Sequence, residues 1–492
     1  MRVLFASAEA FPLAKTGGLA DVSASLPAAL SAAGIDVRLV MPAYPKALAR
    51  AGHIRKAVRL PNLAGFGPVR LLETTLPGHN LPVWLVDCPD RYNRAGSLYQ
   101  NESGADWPDN DLRFALLNHA AAAIALDAPT GWSPDLVHAN DWHCGLVPLL
   151  LAQHRGPRPA TLFTIHNLAY QGQFASERFP GLGLTPDVFG NMEFWGRISF
   201  LKAGIASADA ITTVSPTYAR EILTPEYGCG MDGLLRHRAA SLTGILNGAD
   251  YSVWDPSADP WLTKNYCLDS LAGKAACKHA LRDELGLEQN DAPLLAFMSR
   301  LVHQKMPDVL LEALPALLAA GMQFAVGADG EVQYCRDFER LAARYPGQVS
   351  VRIGYDEPLA HRMFAGADML VHPSRYEPCG LVPIYALRYG TIPIVRRSGG
   401  MADTVTDYTP DALSAGAATG FMFERATVPE LTACAMRAFS LYRQPLAWRK
   451  LKSNDMRRDF SWRQSAMAYG RLYRALTASR LIPQEPRKTA RA

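Results

Sequence analysis

Val3-Leu-Phe-Ala-Ser-Ala8 is a short apolar run that leads into Lys15-Thr-Gly-Gly-Leu-Ala-Asp21 and then into Asp36-Val-Arg-Leu-Val-Met41. The two apolar runs have the length and composition of buried strands. Between them, residues 19–33 place apolar side chains at helical spacing, with Val22, Leu26 and Leu30 on one face. A strand, a helix and a second strand in this order predict a parallel α/β unit.

The same alternation fills the rest of the N-terminal half. Four further runs are predicted as buried strands, at 82–87, 136–139, 161–165 and 210–214. Helical patterns cover 111–126 and continue from Asp141, a candidate N-cap, to His154. Strands and helices that alternate in this way predict a doubly wound parallel sheet.

A second alternation begins after an irregular stretch at 247–260 that is rich in Gly, Asp, Pro and Trp. Its predicted strands are 294–298, 323–326, 349–353, 369–372 and 392–395, and its helices begin near 308, 331, 359, 378 and 401. We therefore expect two Rossmann-like domains, 1–246 and 261–460, that face a central cleft across a hinge at 247–260. A helix at 461–478 is predicted to cross back to the first domain, and 479–492 to be disordered.

Composition and charge argue against several classes of protein. The chain has 492 residues, 49% hydrophobic and 20% charged, which suits a globular protein with two cores. Its 50 Lys and Arg against 46 Asp and Glu are scattered, which argues against a nucleic-acid surface. No run approaches the ~20 apolar residues of a membrane span, and no secretory signal is evident, so a cytoplasmic location is expected. The eight Cys, without C-x-x-C spacing, are expected to be reduced.

Basic residues lie near predicted strand ends in both halves. Gly17 and Gly18 precede a helix, where the backbone approaches a ligand closely, and Lys15 beside them suits a phosphate. In the second half, Arg300 and Lys305 follow the strand predicted at 294–298. Cations there suit a diphosphate leaving group, whose negative charge grows as the glycosidic bond breaks. Taken alone, the first set is better interpreted as a plain glycine turn with a solvated Lys, whereas the second is equally consistent with surface charge.

The most informative stretch is Pro373-Ser-Arg-Tyr-Glu-Pro-Cys-Gly-Leu381, between the strand at 369–372 and a helix predicted at 382–389. Pro378 suits a first helical position, Gly380 leaves space near the backbone amides, and a helix N-terminus binds anions. Glu377, just before this helix N-terminus, can approach a sugar or an oxocarbenium-like centre. The alternative makes Glu377 a helix cap and Cys379 a small buried residue.

Histidine and acidic residues follow further strands. His166 comes after the strand at 161–165, where it either exchanges a hydrogen bond with a sugar hydroxyl or serves the structure alone. His138-Ala-Asn-Asp-Trp-His143 and Asp109-Asn-Asp111 suggest metal ligands. Asp141 and Asp109, however, are predicted to cap helices, and no essential metal is expected.

Together these motifs resemble the bacterial and plant glycogen and starch synthases, retaining glycosyltransferases of the two-Rossmann-domain GT-B type. The likeness spans roughly residues 1–478. Six segments occur in that family's order: Lys15-Thr-Gly-Gly-Leu-Ala-Asp21, His166-Asn-Leu-Ala-Tyr-Gln-Gly172, Asn247-Gly-Ala-Asp250, Ser299-Arg-Leu301 with Gln304-Lys305, Glu377-Pro-Cys-Gly-Leu381 and Arg396-Arg-Ser-Gly-Gly-Met-Ala-Asp-Thr404.

The resemblance implies transfer of glucose from ADP-glucose to the non-reducing end of an α-1,4-glucan such as glycogen. It further implies retention of configuration and no metal or other cofactor. Carried onto this sequence, it implies that Lys15, Arg300 and Lys305 bind the phosphates, helped by the amides around Cys379 and Gly380.

The remaining site residues are also implied by the resemblance. Glu377 and His166 are expected beside the transferred glucose, together with Asp141 and Asn247. Tyr355 is expected to stack on the adenine. The substrate-binding set is completed by residues of the same motifs: Gly17, Gly18, Asp21 and Leu381.

Two departures from the family pattern concern loops near the nucleotide. Met306-Pro307 stands where the family commonly has Gly, and Gly327-Ala-Asp-Gly-Glu331 replaces a Gly-x-Gly-Asp turn. Both leave the loop geometry and the choice of base open.

Two other functions compete with this interpretation. One is a related transferase that uses UDP-glucose or a small acceptor, such as a sugar phosphate. Tyr92, Tyr99 and Trp107 mildly favour a polymer acceptor, because aromatic faces stack on glucan rings, although ordinary loop packing is the alternative. The other is a glucan-binding protein that has lost turnover, against which stands the presence of every implied catalytic residue.

Overall fold

The computed structural model describes residues 1–60, 63, 65–354 and 356–481. Two compact units divide the chain. Unit 1 contains Met1–Gly248 and the segment that begins at Trp462, and unit 2 contains Ala249–Ser461. Tyr355 and residues 482–492 lie outside the described residues. Among the residues described, no helix is both long and apolar enough to cross a membrane.

Unit 1 is built on a nine-stranded sheet. Its strands and those of a small three-stranded sheet are β1 Arg2–Ala6, β2 Asp36–Pro42, β3 Lys56–Leu60, β4 Val69–Thr75, β5 Pro82–Asp87, β6 Leu136–Asn140, β7 Ala160–Ile165, β8 Gln173–Ala175, β9 Glu193–Phe194, β10 Arg197–Ser199, β11 Ala210–Thr213 and β12 Leu242–Gly244. Its helices are α1 Gly18–Ala32, α2 Pro45–Arg50, α3 Pro89–Tyr92, α4 Asn110–Asp127, α5 Leu146–Gln153, α6 Phe189–Met192, α7 Phe200–Ser207, α8 Pro216–Glu221 and α9 Asp232–His237.

The large sheet has the order β12-β11-β7-β6-β1-β2-β5-β4-β3. It is parallel from β12 to β5, whereas β4 runs antiparallel to both β5 and β3. The strand order reverses direction at β1, which pairs with β2 on one side and with β6 on the other. Ligands of doubly wound sheets bind outside the carboxyl ends of the strands at such a switch point.

Unit 2 contains a six-stranded parallel sheet of order β15-β14-β13-β16-β17-β18. Its strands are β13 Leu294–Leu301, β14 Gln323–Gly330, β15 Val349–Ile353, β16 Met369–His372, β17 Ile392–Arg396 and β18 Phe421–Phe423. Its helices are α10 Ala272–Leu285, α11 Pro307–Ala319, α12 Val332–Arg344, α13 Glu357–Gly366, α14 Leu381–Arg388, α15 Gly399–Thr404, α16 Pro410–Ser414, α17 Val428–Tyr442 and α18 Pro445–Met456. The order is that of a Rossmann fold, with the switch point between β13 and β16.

Buried apolar side chains cover both faces of the unit 2 sheet. One cluster includes Phe297, Leu310 and Phe421, and the other includes Ala296, Leu370 and Tyr389. Neighbouring strand residues Ala296 and Phe297 thus enter different clusters, as expected where a parallel sheet has helices on both faces. The prediction of two doubly wound α/β domains is confirmed.

The last helix, α19, is Trp462–Leu481. It packs on α1, and its Tyr473 hydroxyl lies 2.7 Å from Nδ1 of His138 on β6. The helix therefore belongs to unit 1, and it extends three residues beyond the predicted limit at 478.

Several local predictions were wrong. The antiparallel strands β3 and β4 and the small sheet β8-β10-β9 were not predicted. Helix α14 begins at Leu381, and Pro378 lies in the preceding loop rather than at a first helical position. Asp141 precedes only the short 3-10 turn Trp142–Cys144 and makes no side-chain capping bond.

Candidate functional site

The predicted residues of unit 2 gather near the carboxyl ends of β13 and β16. Lys305 ends the 3-10 turn His303–Lys305 after β13, and Glu377 lies in the loop between β16 and α14. Both side chains are buried, and they form an ion pair through Nζ and Oε2. Arg300 lies within β13, which runs three residues further than predicted, and its side chain is exposed.

Two residues that were not predicted complete the surroundings of Glu377. His372 is the last residue of β16, and its Nε2 lies 3.3 Å from Oε2 of Glu377 and 3.4 Å from Nζ of Lys305. The Ser374 hydroxyl donates a hydrogen bond to the same carboxylate oxygen at 3.0 Å. A single carboxylate oxygen is thus held by an ammonium group, a hydroxyl and an imidazole, which fixes its position.

Electrostatics keep Glu377 ionised. Burial alone would raise the pKa of its carboxyl, but the Lys305 ammonium and the bond to His372 more than offset that effect and lower the pKa well below its usual range. Burial and the Lys305 charge lower the pKa of His372, so the imidazole is neutral at pH 7. The pair Lys305–Glu377 is therefore a buried carboxylate with one fixed countercharge.

Glycines allow the Glu377 loop to pack closely. A Cβ on Gly399 would lie 1.9 Å from the carbonyl oxygen of Glu377, and one on Gly400 would lie 2.0 Å from that of Cys379. Gly380 has φ +81° and occupies the N-cap position of α14. The loop therefore delivers Cys379, Gly380 and Leu381 to the helix N-terminus, whose dipole and N–H groups favour an anion.

The structure explains the first departure from the family pattern. Met306 has φ +54°, the left-handed region that glycine adopts most readily, and its side chain is fully buried in a hydrophobic cluster of unit 2. Pro307 then occupies the first position of α11. At the second departure, β14 continues to Gly330, which pairs in register with Leu301. A Cβ on Gly330 would lie 2.5 Å from the Leu301 carbonyl oxygen.

In unit 1, the Lys15 loop connects β1 to α1. Nζ of Lys15 pairs with Asp21 at 2.8 Å, and both side chains are partly exposed. Gly17 is the N-cap of α1, and Gly18 is its first residue. Glu9 anchors the loop, because its Oε2 accepts hydrogen bonds from the backbone N–H groups of Thr16, at 2.5 Å, and Gly17, at 3.3 Å.

Asp141 and His166 meet across neighbouring strands. Oδ1 of Asp141 accepts a hydrogen bond from the backbone N–H of His166 at 3.4 Å, and Asp141 itself has φ +59°. Burial raises the pKa of Asp141 to about 7, and burial lowers the pKa of His166 to about 3. The imidazole of His166 is therefore neutral at physiological pH.

The last predicted residue of unit 1, Asn247, is buried three residues after β12. Its Oδ1 has no hydrogen-bond partner among the described residues. A buried amide oxygen without a partner is uncommon and marks a position where a ligand hydroxyl could supply the missing bond.

Two further predictions were wrong. Tyr92 is fully buried and donates a hydrogen bond to the Arg113 carbonyl oxygen at 2.6 Å, so its ring is not available to a glucan. Asp109 precedes α4 but makes no capping bond, because its carboxylate pairs with Arg91 and Arg94.

Tyr99 is partly exposed, stacks on His143 and donates a hydrogen bond to Oε1 of Glu9 at 3.0 Å. Among the described residues, no group of three or more His, Cys, Asp or Glu side chains is placed to hold a metal ion.

Glu9 predicts a pH dependence of stability. Burial raises the pKa of its carboxyl from 4.5 to about 7. Between these values the unfolded chain releases the proton and the folded protein keeps it, so the stability that Glu9 contributes falls as pH rises and levels off above pH 7. We expect the Glu9→Gln variant to lack this fall, which amounts to about 3 kcal/mol.

Urea unfolding of wild type and variant at several pH values between 5 and 8 measures the difference. Asn118→Leu, a buried but non-titrating change in the same unit, is the control and should shift stability by the same amount at each pH. Parallel curves for wild type and Glu9→Gln would contradict the prediction.

Comparisons with known proteins find matches in both units. A family model described as starch synthase catalytic domain matches residues 2–237, and one described as glycosyl transferases group 1 matches residues 281–445. The glycogen synthase of Thioalkalivibrio sulfidiphilus is 52% identical and covers 97% of this chain and 100% of its own. That of Paramagnetospirillum magneticum is 51% identical and covers 97% and 98%.

Solved structures show the same likeness. The catalytic domain of starch synthase IV from Arabidopsis thaliana, bound to ADP and acarbose, superposes with a TM-score of 0.86 at 32% identity. It covers 97% of this chain and 99% of its own. Sucrose-phosphate synthase from Thermosynechococcus elongatus has a TM-score of 0.61 at 19% identity, a likeness that concerns the fold alone.

Proposed function

The chain belongs to the glycogen and starch synthase family of glycosyltransferases, and from this premise we propose that it transfers glucose from ADP-glucose to the non-reducing end of an α-1,4-glucan with retention of configuration. The observation that carries the proposal is the buried ion pair Lys305–Glu377 beside the N-terminus of α14. A cation and the N-terminus of a helix next to a fixed carboxylate suit a substrate with an anionic leaving group and a positively charged reacting carbon.

We assign the leaving diphosphate to Lys305, Arg300 and the amides of Cys379 to Leu381. An ammonium group has three N–H donors, so Lys305 keeps donors for phosphate oxygens while it pairs with Glu377. As the bond to the sugar breaks, negative charge grows on the diphosphate, and fixed cations stabilise it without having to reorganise. Lys15 of unit 1 is assigned to the phosphates on the family resemblance, and Tyr355, outside the described residues, to the adenine.

We assign the transferred glucose to Glu377, His166, Asp141 and Asn247. Glu377 carries a full negative charge, which orients the sugar and stabilises the oxocarbenium character of the transition state. The neutral ring of His166 and the unpaired Oδ1 of Asn247 both offer acceptors for sugar hydroxyls. The acceptor proton passes to the departing phosphate oxygen in this same-face transfer.

The donor prediction separates this proposal from its alternatives. We expect kcat/KM to be higher with ADP-glucose than with UDP-glucose, and incorporation of labelled glucose to require a glucan acceptor. The measurement is incorporation from each nucleotide sugar with glycogen, with a small sugar phosphate and with no acceptor. A preference for UDP-glucose or for the sugar phosphate would support the related transferase, and no incorporation from any donor would support a binding protein.

Removal of divalent ions provides a further prediction. We expect a chelator to leave the initial rate with ADP-glucose unchanged, because the proposed phosphate contacts are ammonium, guanidinium and amide groups. The rate is measured before and after treatment with the chelator and again after added magnesium. A complete loss that magnesium restores would show that the diphosphate needs a metal.

A further inference from the structure

Asn140 is the last residue of β6, and its side chain is completely buried. Its Nδ2 lies 3.1 Å from the carbonyl oxygen of Ala6 on β1 and 3.3 Å from that of His138. Backbone carbonyl oxygens only accept hydrogen bonds, so the side-chain amide must present its NH2 group to them. These two contacts determine which way the amide points.

The other end of the same amide faces His166. Oδ1 of Asn140 lies 3.0 Å from Nε2 of His166. An amide oxygen has no proton to give, so Nε2 must be the donor. Burial lowers the pKa of His166 to about 3, so the ring carries one proton at neutral pH, and that proton is on Nε2. Nδ1 is then an acceptor, and among the described residues it has no hydrogen-bond partner.

We propose that Asn140 is a positioning residue that locks neutral His166 in the Nε2–H tautomer, so that Nδ1 accepts a hydrogen bond from a hydroxyl of the donor sugar. The proposal rests on the proposed function, in which His166 contacts the transferred glucose. Asn140 itself is buried behind His166 and reaches the sugar only through the ring.

The surroundings of the amide make the lock rigid. Asn140 spans β6 and β1 at the switch point, where the two strands pair in register as Val3–Leu136 through Ala6–Ala139. His138, two residues earlier, uses both ring nitrogens elsewhere, at 2.7 Å from the Tyr473 hydroxyl and 2.6 Å from Oγ1 of Thr164. Asp141 holds the backbone N–H of His166. The ring is therefore fixed at its main chain and at one nitrogen, and only Nδ1 remains for a ligand.

The tautomer has a consequence for substrate choice. An imidazole nitrogen that only accepts requires a proton donor on the sugar, which a hydroxyl supplies and a fluorine does not. With the opposite tautomer, Nδ1–H would donate, and a fluorine would be tolerated better. Asn140 thereby determines whether Nδ1 of His166 accepts or donates its hydrogen bond to the sugar.

The tautomer can be determined directly from the imidazole 15N resonances of protein labelled with 15N-histidine. The resonances of His166 are assigned by their absence from the spectrum of the His166→Gln variant. We expect wild type to show a protonated Nε2 and an unprotonated Nδ1 for His166 from pH 6 to 8. In Asn140→Leu, which has no acceptor oxygen, we expect a mixture of both tautomers. Asn118→Leu is the matched control, since Asn118 is equally buried and donates to the carbonyl oxygens of Phe114 and His143, and it should keep the wild-type resonances.

Kinetics test the link to the sugar. Donors with one glucose hydroxyl at a time replaced by fluorine are compared with ADP-glucose, leaving out position 2, where fluorine slows the chemistry itself. We expect Asn140→Leu to lose on the order of tenfold in kcat, and its discrimination against one fluorinated donor to shrink by a similar factor, whereas Asn118→Leu matches wild type.

The outcomes are distinct. A protonated Nδ1 in wild type, or an unchanged tautomer in Asn140→Leu, would overturn the lock. The expected tautomers with unchanged kcat and unchanged fluorine discrimination would overturn the positioning role. If ADP-glucose were not a donor at all, the proposed function would fail, while the resonances would still decide the tautomer.

Discussion

Glu377→Gln should lose on the order of 10²- to 10³-fold in kcat while the protein still binds ADP. Glutamine keeps the shape of the side chain and its hydrogen-bonding capacity but removes the negative charge. In the folded protein that charge is buried and held in place by Lys305, Ser374 and His372. Because it is fixed before the substrate arrives, its loss raises the energy of the transition state and does not weaken the binding of ADP.

The same variant should also reveal the ion pair in its response to ADP. Without the carboxylate, Lys305 is a buried cation with no countercharge, so we expect the thermal midpoint of unliganded Glu377→Gln to fall. The diphosphate of ADP then supplies a new partner, and the increase in midpoint on adding ADP should exceed that of wild type. Glu424→Gln, which removes an exposed carboxylate paired with Arg397, is the matched control and should change neither kcat nor the response to ADP.

Two roles for Glu377 remain to be separated by mass spectrometry. A double-displacement nucleophile would form a covalent glucosyl enzyme, and its mechanism would need a second carboxylate about 5 Å away across the sugar. In same-face transfer, Glu377 stabilises positive charge and forms no bond. A glucose trapped on residue 377 would replace same-face transfer with the covalent route, and a retained rate in Glu377→Gln would remove this residue from the mechanism.

The parallel cores of both units were predictable because buried strands leave an uninterrupted apolar signal. The strands β6, β7, β13 and β16 were placed to within three residues at each end. The edge strand β3 was not predicted because Lys56–Leu60 is largely exposed and alternates weakly. The short strand β18 was missed because three residues, Phe421–Phe423, carry no readable period.

Site residues could be predicted where they stand in a recognisable sequence motif. They could not be predicted where only a contact in the folded protein brings them to the site. Lys305 and Glu377 stand in conspicuous stretches, whereas His372 looked like the end of a strand and Ser374 like part of a loop until the fold brought them to one carboxylate. Asp141 was assigned to the helix that follows it in sequence. Its carboxylate instead accepts a hydrogen bond from the main chain of His166, the first residue after β7, a contact that sequence spacing does not encode.

Glu9 and Asn140 illustrate the same limit. Each lies at or just after the end of a predicted strand and acts through one partner, the Lys15 loop for Glu9 and the His166 ring for Asn140. The role of Asn140 depends on burial and on contacts between strands that are far apart in sequence, such as β1 and β6. That of Glu9 depends on burial and on hydrogen bonds from the backbone seven and eight residues further along. The sheet order makes such residues candidates, because β1, β6 and β7 are neighbours at the switch point.

Lys305→Ala should impair both folding and catalysis. Removing the ammonium leaves Glu377 as an uncompensated buried charge, which destabilises the protein by about 3 to 5 kcal/mol. It also removes a desolvated cation from the leaving diphosphate, which lowers kcat/KM by an amount equivalent to about 2 to 4 kcal/mol. Urea unfolding and steady-state kinetics with ADP-glucose measure the two effects separately. Arg300→Ala, by contrast, should lose kcat/KM with little loss of stability, because that side chain is exposed.

Lys278→Ala is the matched control for the folding effect. Lys278 forms a similarly buried ion pair in unit 2, with Asp368 at 2.6 Å, and has no proposed contact with substrate. We expect this variant to lose stability while the kcat/KM of its folded fraction stays near wild type. Equal losses of kcat/KM in Lys278→Ala and Lys305→Ala would mean that the second variant merely unfolds.

The double variant Lys305→Ala/Glu377→Gln completes the test. Both charges are then absent, so the free energy of unfolding should recover relative to Lys305→Ala alone. The activity should stay at or below that of the less active single variant. Recovery of stability without recovery of rate would separate the two functions of the pair, since folding needs only that the buried charges balance, whereas transfer needs each charge in its place. Simple additivity of the two stability losses would contradict a direct ion pair between these residues.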